Sequence, residues 1–135
     1  MLTKKRLIVL LPLLLFAMVN AFSQESQTGV IKNLSAERFK NVMDSLQDEV
    51  LIDLRTPDEI KSGKIAGAKE IDYFGADYEK AVQSLDKNKV YLLYCAGGGR
   101  SSETAEMMQK LGFSSIYNLE SGFRDWAKKK MPVKK

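Results

Sequence analysis

Apolar residues fall into two rhythms along this chain. In 50–54 (VLIDL) and 89–94 (KVYLLY) they run almost unbroken and stop at polar or turn residues, the pattern of parallel strands buried on both faces. Shorter stretches at 30–31, 68–72 and 115–119 predict three more strands. Between the strands the spacing turns helical. Phe39, Val42, Met43 and Leu46 share one face of a helix that Ser35 caps. Thr56 and Glu59 make a capping box around Pro57, opening a short helix that should stop near Gly63. Residues 76–85 and 101–111 predict two further helices, the second closed by Gly112, and 121–130 predicts a last one. Strands alternating with helices at these intervals mean an α/β domain with a parallel sheet.

The first 23 residues stand apart from that pattern. Lys4, Lys5 and Arg6 precede an apolar run over 7–19, and the small residues Ala21 and Ser23 follow it. This order predicts a secretory signal peptide over 1–23. The run is 13 residues long and contains Pro12, whereas a spanning helix needs about 20, so a permanent anchor is the poorer reading. Residues 24–29 then form a polar lead-in, and 30–135 one domain. No cysteine near the cut invites lipidation, which points to an exported protein, in the periplasm of a diderm bacterium.

Composition changes the picture in two ways. The chain has 21 Lys and Arg against 17 Asp and Glu, but three of the basic residues lie in the leader, which leaves a charge of only +1 for the rest. That argues against a nucleic-acid partner, whose recognition needs a basic face. The chain also has a single cysteine, Cys95, and no histidine. An internal disulfide, Cys–His catalysis, a Ser-His-Asp triad and nearly every zinc site are thereby excluded, and neither a metal nor a cofactor is expected.

What remains is the thiol. Cys95 follows the strand at 89–94 directly, and Ala96, Gly97, Gly98, Gly99, Arg100 and Ser101 come next, where a helix begins. Ligands of open parallel sheets bind beyond the carboxyl ends of the strands. Three glycines can turn their N–H groups inward to make a nest for an anion, and the helix start adds positive potential. Arg100 brings a cation to the same place. A thiol held there should ionise below the ordinary value of about 8.5. The expected geometry is an ionised sulfhydryl at the mouth of a ring of inward-facing amides. A second reading keeps Cys95 as an inert strand-end residue beside a tight turn, and such a loop by itself also suits a nucleotide phosphate. Asp53 and Arg55 close the strand at 50–54 at the same sheet end, where they either shape the pocket or form an ion pair beneath the loop. Met107, Met108 and Trp126 read as packing residues, and the terminal lysines as a solvated helix end.

Three segments together carry a resemblance. Residues 53–72 (DLRTPDEIKSGKIAGAKEID) resemble the D-x-R-x-x-x-E … G-H-I-x-G-A stretch of the rhodanese-like sulfurtransferase domain. Residues 95–101 (CAGGGRS) resemble its C-x-x-G-x-R-S loop, and 111–126 (LGFSSIYNLESGFRDW) its closing L-G-F … L-x-G-G-x-x-x-W segment. The resemblance implies a three-layer sandwich: a central parallel sheet of about five strands with helices on both faces. It also implies a persulfide mechanism. Cys95 would attack the outer sulfur of thiosulfate or a persulfide donor, keep that sulfur under the amides of residues 96–101, and pass it to cyanide or a thiol. Such transfer through a covalent intermediate needs no histidine.

Departures from the family pattern are few. Lys64 replaces the usual histidine, Ala66 stands at a position often held by proline, and Ser121 replaces the first glycine of the closing pair. Phosphatases and arsenate reductases related to this fold have one more residue between cysteine and arginine. Here four residues separate Cys95 from Arg100, which suits a single sulfur better than a tetrahedral oxyanion. An enzyme and a non-catalytic sulfur carrier or thiol-partner module are both consistent with these residues.

Overall fold

The computed structural model describes residues 28–135, so the leader and most of the lead-in lie outside the described residues. The described residues form five strands: β1 (Val30–Leu34), β2 (Val50–Asp53), β3 (Lys69–Glu70), β4 (Val90–Tyr94) and β5 (Ser115–Leu119). They alternate with α1 (Ala36–Ser45), α2 (Pro57–Ile60), α3 (Tyr78–Gln83), α4 (Gly99–Lys110) and α5 (Gly122–Lys128). All strand pairs are parallel, in the order β1-β5-β4-β2-β3. Among the described residues no helix is long and apolar enough to cross a membrane.

The unbroken apolar runs occupy the centre of the sheet because both of its faces are covered. Along β4 the side chains alternate. Tyr91 and Leu93 enter a cluster with Ile52, Met108, Phe113 and Ile116, whereas Leu92 and Tyr94 enter one with Phe39, Leu119, Phe123 and Trp126. These two cores, one on each face, make the three layers that the resemblance implied. Cys95 continues the first face. Trp126 is fully buried, meets Phe39 edge to face with ring centroids 6.2 Å apart, and donates its indole N–H to the Pro132 carbonyl at 2.9 Å. Met108 is buried and Met107 packs partly against the same core.

The edges of the fold differ from expectation. The strand expected over 68–72 is reduced to two residues, since β3 is a sheet edge paired only with β2. The helix expected over 76–85 shrinks to Tyr78–Gln83, and the short helix stops at Ile60 rather than near Gly63. The change that matters for function is at α4. It starts at Gly99, two residues early, because Gly98 takes a left-handed conformation and caps it. Gly99 and Arg100 therefore belong to the first helical turn, not to a free loop.

Candidate active site

Cys95 sits immediately beyond β4, one residue after the last paired position of the strand. From there the chain climbs over the sulfur, reverses at Gly98 (φ 99°) and descends as α4. The Gly98 amide donates to Cys95 Sγ at 3.1 Å, and the Ser101 hydroxyl reaches it at 3.5 Å. Burial pushes the Cys95 thiol up, but the Ser101 hydroxyl and the amides of Ser101, Gly98 and Gly97 outweigh it and hold the pKa below the ordinary value. The site thus favours a negative sulfur chiefly by aimed hydrogen bonds, and that sulfur in turn favours the charged form of the nearby Arg100, whose main partner is Glu59.

One expectation needs correction. The thiol is not at the mouth of the ring. Cys95 is 1 % exposed, because the loop folds back over it and places the sulfur on the floor. Gly97 and Gly99, the exposed members of the loop, have no side chain to bar approach from above. Of the amides from 96 to 101, those of Gly97, Gly98 and Ser101 act on Cys95 Sγ itself. Ala96 is held by its carbonyl, which accepts from the Arg124 amide at 3.1 Å, and the Cys95 carbonyl accepts from the Phe123 amide at 2.8 Å. The start of α5 therefore clamps the first two residues of the loop. Gly122 makes that approach possible, since a β-carbon there would lie 2.5 Å from the Ala96 oxygen. Ser121 has an ordinary negative φ of −92°, so the missing first glycine of the closing pair costs no strain.

Arg100 does not project alone toward the sulfur. Its guanidinium pairs with both oxygens of Glu59, at 2.8 and 2.9 Å. Glu59 also completes the capping box, accepting from the Thr56 amide at 2.8 Å. One carboxylate thus ties the start of α2 to the first turn of α4. In the sequence Glu59 shows only as a cap and as the acid of a motif, because nothing local signals a partner 41 positions away.

Hydrogen bonds from Arg100, ahead of the backbone bond at Thr56, pull Glu59 down to about 2 from the usual 4.5. Its folded value lies below its unfolded one, so the stability it contributes is complete above about pH 4.5 and is lost as pH falls through about 2. Denaturation curves of Glu59→Gln are therefore expected to show a flatter stability profile between those pH values than the wild type. An identical acid slope in both proteins would refute the linkage.

Asp53 and Arg55 lie beneath this layer. Both are buried, and Asp53 accepts from the Arg55 amide at 3.0 Å, from Nε at 2.9 Å and from Nη2 at 2.6 Å. Arg55 Nη2 also donates to the Gly63 carbonyl at 2.9 Å, and its guanidinium lies 3.8 Å from the Phe123 ring centroid. Neither residue hydrogen-bonds to the sulfur. They support Phe123, whose amide holds the Cys95 carbonyl. Glu103, the carboxylate nearest the loop in sequence, accepts from the Tyr73 hydroxyl. Lys64, at the family's histidine position, pairs its backbone with Lys134 and its ammonium with Glu70. Among the described residues no cluster of acidic or thiol groups could hold a metal ion.

This arrangement has known counterparts. Residues 35–129 match the sequence profile of the Rhodanese-like domain. The chain belongs to the rhodanese-like family. It is 32% identical to the uncharacterized protein YqhL of Bacillus subtilis, over 91% of this chain and 94% of that one. It is 30% identical to the putative sulfurtransferase YtwF of the same organism, over 71% and 90%. A rhodanese-like domain protein from Staphylococcus aureus superposes with a TM-score of 0.64 at 28% identity, covering 77% of this chain and 99% of that structure. Within this rhodanese-like domain Cys95 follows β4 directly and Arg100 lies in the first turn of α4.

Proposed function

We propose that this rhodanese-like protein is a sulfurtransferase that moves a sulfane sulfur from thiosulfate or a persulfide donor to a thiophilic acceptor, through a persulfide on Cys95. The observation that carries this reading is the coordination of Sγ. A thiol at the end of a buried parallel strand accepts from the Gly98 amide and the Ser101 hydroxyl, at the N-terminus of a 12-residue helix. With thiosulfate, a bond forms between Sγ and the outer sulfur while the bond from that sulfur to the sulfonate breaks. The electron pair leaves on sulfite, and the persulfide anion stays under the same donors. Cyanide or a thiolate then attacks the outer sulfur and returns the Cys95 thiolate. The charge-stabilising groups are backbone amides and a hydroxyl, so no residue has to ionise during the cycle except the thiol. The leader over 1–23 supports export, and we place the reaction outside the cytoplasm.

Intact-protein mass spectrometry after thiosulfate treatment tests the proposal, which expects a gain of one sulfur atom on Cys95, reversed by cyanide with release of thiocyanate. No gain from any sulfane donor would overturn it and would mark Cys95 as an inert, enclosed thiol. Loading that no acceptor discharges would select a sulfur carrier. Oxyanion turnover without loading would select a phosphatase or arsenate reductase instead.

A further inference from the structure

Two arginines flank the loop, and their situations are opposite. Arg100 is occupied. Both oxygens of Glu59 hold its guanidinium, which also lies 5.4 Å from the exposed Phe74 ring. Arg124, in the first turn of α5, is exposed and forms no ion pair among the described residues. The acid next to it in the chain, Asp125, is taken by Lys129 at 3.1 Å. Arg124 is nonetheless fixed to the loop. Its amide donates to the Ala96 carbonyl, and its Nη1 lies 3.4 Å from the point where a β-carbon of Gly97 would stand.

Gly97 sharpens the point. Unlike Gly98 and Gly122, it does not have a positive φ, so backbone conformation does not require glycine there. Its missing side chain leaves clear the space between the Arg124 guanidinium and the loop. A paired arginine has little charge to offer an incoming anion, whereas an unpaired one at the rim attracts and orients it.

We propose that Arg124 determines the class of sulfur donor, by receiving the anionic group that departs when the outer sulfur moves to Cys95. This rests on the sulfur-transfer reading and specifies it: donors with a sulfonate or other oxyanion as leaving fragment are preferred over those that leave as an uncharged thiol. With thiosulfate, the bond between outer sulfur and sulfonate breaks, both electrons leave on sulfite, and Arg124 holds the sulfite oxygens while the Sγ–S bond forms. Total charge is the same on both sides.

The test compares Cys95 loading by thiosulfate with loading by the hydropersulfide of 2-mercaptoethanol, whose leaving fragment becomes a neutral thiol on taking a proton. The ratio of the two second-order rate constants is expected to fall roughly tenfold in Arg124→Gln, the scale of one ionic contact at a wet rim. Most of it should return in Arg124→Lys, which keeps the charge. The fall should appear as a raised half-saturation concentration for thiosulfate, and the ratio should lose part of its sensitivity to added salt. An unchanged ratio in Arg124→Gln overturns the assignment. So does a proportional loss with both donors, which would make Arg124 a clamp on the loop and nothing more. Wild-type protein that loads from neither donor would overturn sulfur transfer itself, and the role of Arg124 with it.

Discussion

Cys95→Ser is expected to abolish sulfur loading while leaving the fold intact. The hydroxyl that replaces the thiol occupies the same place beneath the Gly98 amide and Ser101 hydroxyl, so the buried hydrogen bonds keep an acceptor. Stability should change by about 1 kcal/mol or less. Chemistry should not survive. A serine hydroxyl does not ionise in this pH range, no histidine exists in the chain to deprotonate it, and an oxygen cannot carry the persulfide. Removing the nucleophile from a covalent mechanism costs on the order of 10⁶ in rate. The measurement is thiocyanate release from thiosulfate and cyanide, beside a denaturation curve of the same preparation. Residual turnover within tenfold of the wild type would mean that sulfur does not pass through Cys95.

The second large effect is on the fold. Gly98→Ala is expected to destabilise the protein by roughly 3 kcal/mol and to lower sulfur loading with it. At φ 99° an added β-carbon is strained by the backbone alone. It would also overlap the Glu120 carbonyl oxygen and lie 2.9 Å from the Glu120 carbon. That obstacle is main chain at the end of β5, so no side-chain rotation can relieve it. Shifting Gly98 would withdraw the amide closest to Cys95 Sγ. Gly99→Ala is the control. Nothing lies within 4 Å of its added β-carbon and its φ is helical in sign, so its stability should stay within about 1 kcal/mol of wild type. Urea denaturation of the two variants checks the contrast, and equal midpoints would refute the proposed role of the Glu120 contact.

The two glycines are indistinguishable in the string CAGGGRSS, and that is a fair measure of what sequence alone resolves. Their difference comes from Glu120, brought against Gly98 by the pairing of β4 with β5. The same pairing places Gly122 and Phe123 over the loop. Phe123, which covers Arg55 and anchors the Cys95 carbonyl, had no signal in the sequence beyond its apolar character and its place in a closing motif.

Local chemistry was enough to read the strands, the helices and the parallel sheet. Strands buried on both faces have to be apolar at every position, and helices between them apolar on one side, so VLIDL, VYLLY and the Phe39–Met43 face were legible as they stood. The sole thiol, the glycines and the absence of histidine likewise narrow the chemistry without any knowledge of packing. Three-dimensional packing alone decided how deep the sulfur lies, that Glu59 pairs with Arg100, and that Arg124, exposed beside Gly97, has no ion pair among the described residues. The physical reason is one of range. Propensity and periodicity act over a few residues, whereas burial and ion pairing depend on which distant segments the sheet brings together.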